Sequence, residues 1–384
     1  MTEMLVPVLA AAAIAATLLV WGLSAARGWR ARGRATGSLE ASVEAGPLVS
    51  ILVPAWNEEA VLARCVRAVQ TLRYPRWECV LVAGGSDRTF EVATALAAAD
   101  PRIAAVRQEP AGKNAALNQG LAAARGELIA LLDADCVVDP AWLSQLASAI
   151  GGGADACFGT YQPEPLTWVS RQFVIDRVVA YVVRGSTTLH GGGILLRRSA
   201  IDAIGGRFPD AVVVGTDWDL DRRVARAGLR KAFVPGARHS TPYPATLREF
   251  VRNELRWRRA HLIAALRFGD WRPRGLAGGL RDLMPYWLPW ATLLGVIAAA
   301  FAFKPFPRAA WVVLIVLGLT HGWLLARRTG QVFEVAASSG DWRWLRFIWL
   351  PAVTMVVMLA AGGAAVLSFG RASPHFQGPR PGRT

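Results

Sequence analysis

Asp133, Asp135 and Asp139 fall within seven positions of "IALLDADCVVDP", residues 129–140, directly after a short apolar run. Asp gathers in turns because its side chain bonds the nearby backbone, so a lone D-x-D reads as a solvated turn. Two carboxylates spaced this way in a loop also suit a hard divalent cation, Mg2+ or Mn2+, which takes oxygen ligands and completes its shell with substrate phosphates. Such a cation would bridge a diphosphate and neutralise charge on it as it leaves. The rest of the chain is basic, with 43 Lys+Arg against 28 Asp+Glu and a formal charge of +15. A ligand more acidic than the site itself accounts for acid gathered in such a chain.

The elements that must hold these residues are legible as short apolar runs alternating with helical periods. "LVSILVP" (48–54), "WECVLVA" (77–83), "RIAAVR" (102–107) and "ELIALLD" (127–133) are predicted strands. Helical stretches near 58–72, 89–99, 114–125 and 140–150 separate them. Strands alternating with helices predict an α/β fold, a parallel sheet covered on both faces with ligands at the carboxyl ends of the strands. Asp133 and Asp135 fall at the end of the fourth strand. Asn57, Glu58 and Glu59 follow the first strand, and Gly84, Gly85, Ser86 and Asp87 the second, so three strand ends deliver polar groups to one rim.

Apolar blocks flank this middle region, and they raise the hydrophobic fraction to 53% and the mean hydropathy to +0.30. Residues 4–26 carry no charge and are long enough to cross a hydrocarbon layer of roughly 30 Å. A cleaved signal peptide is the competing reading, but the run is too long and its start holds Glu3 without Lys or Arg. Arg27, Arg30, Arg32 and Arg34 follow at once, which predicts a cytoplasmic end there and an outward-facing N-terminus. Residues 285–303, 309–326 and 348–369 are three further candidate crossings; His321 makes the middle one a candidate re-entrant or interfacial segment. Cys65, Cys79, Cys136 and Cys157 have neither C-x-x-C nor His spacing suited to zinc, and read as small core residues of a reducing compartment. The basic surplus is scattered or sits beside apolar blocks, where anionic lipid attracts it. It is no nucleic-acid signature.

"VSILVPAWNEE", "AGGSDRT", "GKNAALNQGLAAARGELIALLDADCVVDP", "GGGILLRRSAI", "GTDWDLDRRVARAG" and "RNELRWRRA" occur in one order over residues 48–262. In that order and spacing the chain resembles the membrane-bound family 2 glycosyltransferases, inverting enzymes that include polysaccharide synthases and ceramide glucosyltransferases. The resemblance implies a GT-A-like fold, a mixed and mostly parallel sheet with helices on both faces, together with transmembrane helices. It implies a nucleotide-sugar donor, UDP- or GDP-linked, and a lipid or glycan acceptor at the bilayer. Pro54, Asn57, Glu58 and Asp87 would line the nucleotide pocket. Lys113 would approach the nucleotide or its phosphates, Asp133 the sugar side of the nucleotide, and Asp135 would hold the metal. Asp217 matches the family's general base. Arg256 and Trp257 match the R-W of the Q-x-x-R-W motif beside the diphosphate and acceptor, and Asp219 joins Trp257 on the acceptor side. Each segment has a simpler reading: "TDWDLDRRVARAG" as a helix with Thr216 as N-cap, Arg256 to Arg259 as a basic membrane-surface helix, and His190 and His239 as structural residues. Residues 166–183 form an amphipathic stretch for the bilayer surface or the core.

Three departures stand out. The turn usually written D-D-G-S reads Ala83, Gly84, Gly85, Ser86, so a carboxylate for base and ribose is missing. Thr216 replaces the usual Glu before the base, and Asn253 the usual Gln. The predicted organisation is an anchor (1–27), a linker (28–47), a cytoplasmic catalytic domain (48–270), an interfacial segment (271–284), about three transmembrane helices (285–370) and a flexible tail (371–384). The expected protein is a multi-pass cell-membrane glycosyltransferase. A processive polysaccharide synthase, a nucleotide-sugar-binding scaffold or transporter component without chemistry, and a nucleotidyl transferase acting on lipid phosphate are the alternatives.

Overall fold

The structure is a computed structural model that describes residues 2–34, 46–109, 112–210, 212, 215–268, 283–301 and 307–367. The linker beyond residue 34, nearly all of the expected interfacial segment and the tail lie outside the described residues. Along the chain run α1 (Thr2–Arg30), β1 (Val49–Trp56), α2 (Leu62–Gln70), β2 (Trp77–Gly84), α3 (Thr89–Ala99), β3 (Ile103–Arg107), α4 (Lys113–Ala123) and β4 (Leu128–Leu132). Next come β5 (Val137–Val138), α5 (Trp142–Gly151), β6 (Ala156–Glu164), α6 (Trp168–Arg177), β7 (Gly193–Arg197), α7 (Arg198–Ala203), α8 (Thr216–Arg226) and β8 (Lys231–Pro242). The chain ends in α9 (Leu247–Phe268), α10 (Met284–Phe301), α11 (Pro307–Ser339) and α12 (Leu350–Leu367). They form two compact units.

The α/β unit comprises, among the described residues, 46–166 and 185–243. Its eight-stranded sheet has the order β3-β2-β1-β4-β7-β6-β8-β5. The first four strands are parallel, β7 runs antiparallel between β4 and β6, and β6 and β8 pair in parallel. This is the mixed, mostly parallel sheet expected. β1 is buried on both faces because successive side chains point opposite ways. Ile51, Val53 and Ala55 share one core with Leu62, Val66, Leu143 and Leu146 of α2 and α5. On the other face, Leu52 and Val82 press against Gly120 of α4. All four cysteines are reduced and buried, and burial pushes their thiols up. They are inert core residues.

Glu78 of β2 ties the edge of this core together. Oε1 accepts the Ser50 hydroxyl at 2.6 Å and the Arg125 N–H at 2.7 Å, and Oε2 accepts Arg125 Nε at 2.7 Å. Burial pushes this carboxyl up, but the Ser50 and Arg125 bonds outweigh it and hold it below its ordinary value. Glu78→Ala strands a buried hydroxyl and a backbone N–H, which costs about 2 kcal/mol. The thermal midpoint of the detergent-solubilised chain is expected to fall by several degrees; an unchanged midpoint would contradict this role.

The helical unit comprises, among the described residues, 2–34, 167–184, 244–268, 283–301 and 307–367. The block expected at 48–270 is therefore divided, since 167–184 and 244–268 group with helices rather than with the sheet. α1 lies along α11: Trp21 stacks on Phe333 with centroids 5.1 Å apart and donates to Thr329 Oγ1 at 2.9 Å. Glu334 is 1% exposed and is held by Arg27 at 2.7 Å and Arg184 at 3.7 Å. Such pairs let α11 continue unbroken through His321, Arg327 and Arg328, where the sequence allowed a re-entrant segment. Thr167 and Ser170 cap α6 reciprocally, and Ile175 and Val179 pack on Val332, Val335 and Leu350. The amphipathic stretch is thus part of the packed interior. Among the described residues two helices, Ala11–Arg30 and Leu350–Leu367, are long and apolar enough to cross a membrane, with mean hydropathies of 1.4 and 2.1.

Candidate active site

Three loops of the α/β unit meet where β4 ends. Asp133 follows β4, Lys113 opens α4, and Gly191 and Gly192 lead into β7. The antiparallel pairing of Leu132 with Gly193 lays the glycine run beside Asp133, whose N–H donates to Gly192 O at 2.9 Å. A Cβ on Gly192 would lie 2.7 Å from Asp133 Oδ2, and Gly191 takes φ 88°. Neither position accepts a larger residue without strain. Lys113 Nζ forms an ion pair with Asp133 Oδ1.

Asp217 stands in the first turn of α8. Gly215, in left-handed conformation at φ 76°, is the N-cap, so the Thr216 cap expected from sequence is replaced by a backbone turn. Asp217 Oδ1 accepts the Trp218 N–H at 3.0 Å, and Oδ2 accepts the Gly191 N–H at 3.4 Å and lies 3.1 Å from His190 Nδ1. Burial pushes this carboxyl up. The hydrogen bond and charge of His190, the charge of Lys113 and the Gly191 N–H outweigh burial and hold it at about 2. It is ionised at neutral pH. Asp133, Lys113, Thr216 and Asp217 line one cavity of about 330 Å³, together with Asn114 and Phe208.

The ends of β1 and β2 form a second cluster. Asn57 takes φ 57°, a conformation Asn tolerates better than most residues, and its Oδ1 accepts the Ser86 N–H at 2.7 Å. Asp87 accepts the Glu59 N–H at 3.3 Å and the Thr89 N–H at 3.0 Å. Burial pushes Asp87 up, but these bonds hold it below its ordinary value. Glu58 is buried, and Pro54 is half-buried opposite Val82. The missing carboxylate has a steric reason: a Cβ at Gly84 would lie 2.9 Å from Gln108 O and 3.0 Å from the Trp56 ring. Trp56 and Gln108 fill the space that an acidic side chain would need.

The remaining candidates stand elsewhere. Asp135 sits half-buried in the turn between β4 and β5 and is not among the residues lining the cavity. Asp219 is buried and bonded to Arg223 at 2.6 Å, further along α8. Arg256 and Trp257 belong to α9 of the helical unit, where Arg256 donates to Asn253 Oδ1 at 2.6 Å and Trp257 stacks on Phe173 at 6.5 Å. The sequence treated His190 as structural, whereas the structure puts it on Asp217. Its position directly before three glycines was the signal available.

No group of three or more His, Cys, Asp or Glu among the described residues is arranged to hold a metal. The oxygen donors at the end of β4 fit a hard cation that leaves positions for a diphosphate rather than a protein-saturated ion. His239 lies in the same region, 2% exposed, and neither ring nitrogen has a hydrogen-bond partner among the described residues. Burial drives its value down to about 4 against the charge of Asp133, so it is a neutral imidazole with lone-pair capacity.

Residues 50–205 match the family described as Glycosyl transferase family 2, and residues 128–362, more than half of the chain, match Glycosyl transferase family group 2. The chain belongs to the family 2 glycosyltransferases. It is 29% identical over 58% of its length to "Probable glycosyltransferase YdaM" of Bacillus subtilis, covering 57% of that protein. It is 26% identical over 63% of its length to the "Beta-monoglucosyldiacylglycerol synthase" of Trichormus variabilis, covering 51%. The family 2 chain thus spans little more than half the length of these two curated relatives. In fold it is similar to a mannosyltransferase of Pyrobaculum calidifontis, solved in complex with GDP-Man and Mn2+, at a TM-score of 0.58 and 21% identity over 90% of this chain and 98% of that one. That likeness fits the GT-A-like sheet.

Proposed function

We propose that this chain is an inverting glycosyltransferase that moves one sugar from a UDP- or GDP-linked donor to a hydroxyl of a lipid or glycan acceptor at the membrane. The observation that carries this reading is the cavity bounded by Asp133, Lys113 and Asp217. Its roughly 330 Å³ is at the small end of ligand sites, which run from about 300 to 1,000 Å³, and suits a sugar between the two polar walls.

Asn57 and Asp87 frame the nucleotide, with Pro54 and Glu58 behind them. Lys113 offsets negative charge where the diphosphate meets Asp133. Asp135, with Asp133 and the donor's own phosphates, would hold Mg2+ or Mn2+, and a divalent cation there neutralises charge on a leaving diphosphate. Asp217 takes the proton of the acceptor hydroxyl, so that attack opposite the leaving group inverts the anomeric carbon. Arg256 and Trp257 serve the diphosphate and acceptor, with Asp219 steadying the start of α8 through Arg223. The apolar helices and the glycolipid synthase among the relatives support a multi-pass membrane setting with the α/β unit on the cytoplasmic side.

Purified chain in lipid vesicles, screened against UDP- and GDP-sugars, is expected to release nucleoside diphosphate and add one hexose mass to a lipid or glycan. Release of pyrophosphate would instead mark nucleotidyl transfer. Donor binding without release would mark a scaffold, and repeated additions a processive synthase.

A further inference from the structure

The Asp217 carboxylate works beside an imidazole that nothing in the family assignment requires. His190 Nδ1 lies 3.1 Å from Asp217 Oδ2, with the two side chains 18% and 25% exposed. The His190 ring packs against Tyr161, centroids 5.6 Å apart, and Tyr161 stacks on His239 at 5.7 Å and 18°. The imidazole is therefore fixed on one side by an aromatic ring while its nitrogen faces the base.

A carboxylate is a useful base only if it can keep the proton until the product leaves. With the imidazole charged, Asp217 is held at about 2, so at pH 7 its protonated form is outnumbered by about 10⁵ to one. When the pair shares one proton, that proton rests on nitrogen. We propose that His190 is the positioning residue of this base and the second carrier of its proton, receiving from Asp217 what Asp217 takes from the acceptor hydroxyl. The inference rests on the transferase reading above. In the step, the acceptor oxygen bonds to the anomeric carbon. The bond from that carbon to the diphosphate oxygen breaks, and its electron pair stays on the leaving nucleoside diphosphate. The hydroxyl proton passes to Asp217 and then to His190 Nδ1, leaving an imidazolium–carboxylate pair that water discharges after product release.

Other titratable groups do not substitute for it. Lys113 on α4 and Asp133 after β4 are ion-paired with each other. Tyr161 on β6 presents its ring to His190. His239 on β8, lowered to about 4 by burial, stays neutral near pH 7. The relay requires His190 neutral before each turnover, so the rate falls on the acid side where imidazoles titrate, between about pH 5 and 8.

The test compares wild type, His190→Asn and His190→Ala in the full chain, reading nucleoside diphosphate release from UDP-glucose and GDP-mannose between pH 5 and 9. The Asn amide can keep a hydrogen bond to Asp217 but cannot titrate. Both variants are expected to lose turnover about 100-fold with an unchanged donor KM, which also reports an intact fold, and His190→Asn is expected to abolish the acid limb. His190→Asn at wild-type turnover, or with the acid limb retained, overturns the relay while leaving the transferase reading standing. A wild type that releases nothing from either donor overturns the relay for these donors. Inertness toward every UDP- and GDP-sugar in the wider screen removes the reading as well.

Discussion

Asp217→Asn is expected to lower turnover by about 10³-fold or more while donor affinity changes less than about twofold. The size follows from removing the carboxylate that lines the cavity opposite Asp133, since a positioned general base contributes about 10²–10⁴. The amide keeps the shape, and its oxygen still accepts the Trp218 N–H, so the α8 start is preserved. Folding changes little, because a single charge in the first turn of a helix stabilises it by only about 0.3–1 kcal/mol. The sign of the pH dependence separates this residue from its neighbours. Its folded value of about 2 lies below an unfolded Asp near 3.9. Its contribution to stability is therefore complete above about pH 4 and fades as pH falls toward 2. An acid loss of rate between pH 5 and 7 cannot come from protonating Asp217. Single-turnover release of nucleoside diphosphate, beside calorimetric binding of UDP and GDP, makes the measurement; an Asp217→Asn variant of ordinary rate would remove Asp217 from the chemistry.

The first half of the α/β unit was legible because its signal is local. β1, β2 and β4 are apolar runs ended by polar turns, and the helices between them carry a repeating apolar face. The second half was not, because its strands depend on partners distant in sequence. β5 has two residues, β6 contains Gly159 and Pro163, and β8 shifts register opposite Gly159 and Thr160. The "GGGILLRRSAI" segment was read as a motif, and its role as the strand that turns antiparallel against β4 came only from the pairing. That pairing brings Gly191 and His190 to Asp217, a contact between residues 27 apart that no periodicity encodes. The site had the same split. The D-A-D turn and Asp217 could be named from their types, whereas the Lys113 pair, the His190 contact and the filling of the Gly84 space by Trp56 and Gln108 are tertiary facts. The cut of 167–184 out of the sheet unit is another: its apolar face fits a core or a bilayer equally well until Val332, Val335 and Leu350 appear beside it.

The second large effect concerns the cation. Asp133 is already ion-paired with Lys113, so removing its neighbour's charge should weaken a divalent ion at this rim more than the sequence symmetry of D-A-D implies. Chelation with EDTA is expected to stop turnover, and added Mn2+ or Mg2+ to restore it. Asp135→Asn is expected to raise the Mn2+ concentration needed at least 10-fold and to lower turnover about 100-fold at saturating metal, because an amide oxygen carries no charge to hold a hard cation. Binding can be followed without catalysis, through the loss of the free Mn2+ paramagnetic signal on adding chain and GDP or UDP. Asp217→Asn should leave that titration unchanged, which separates a metal ligand from a base. Turnover that ignores EDTA would instead leave Lys113 as the cation beside the diphosphate, and Lys113→Ala, rather than Asp135→Asn, would then carry the larger loss.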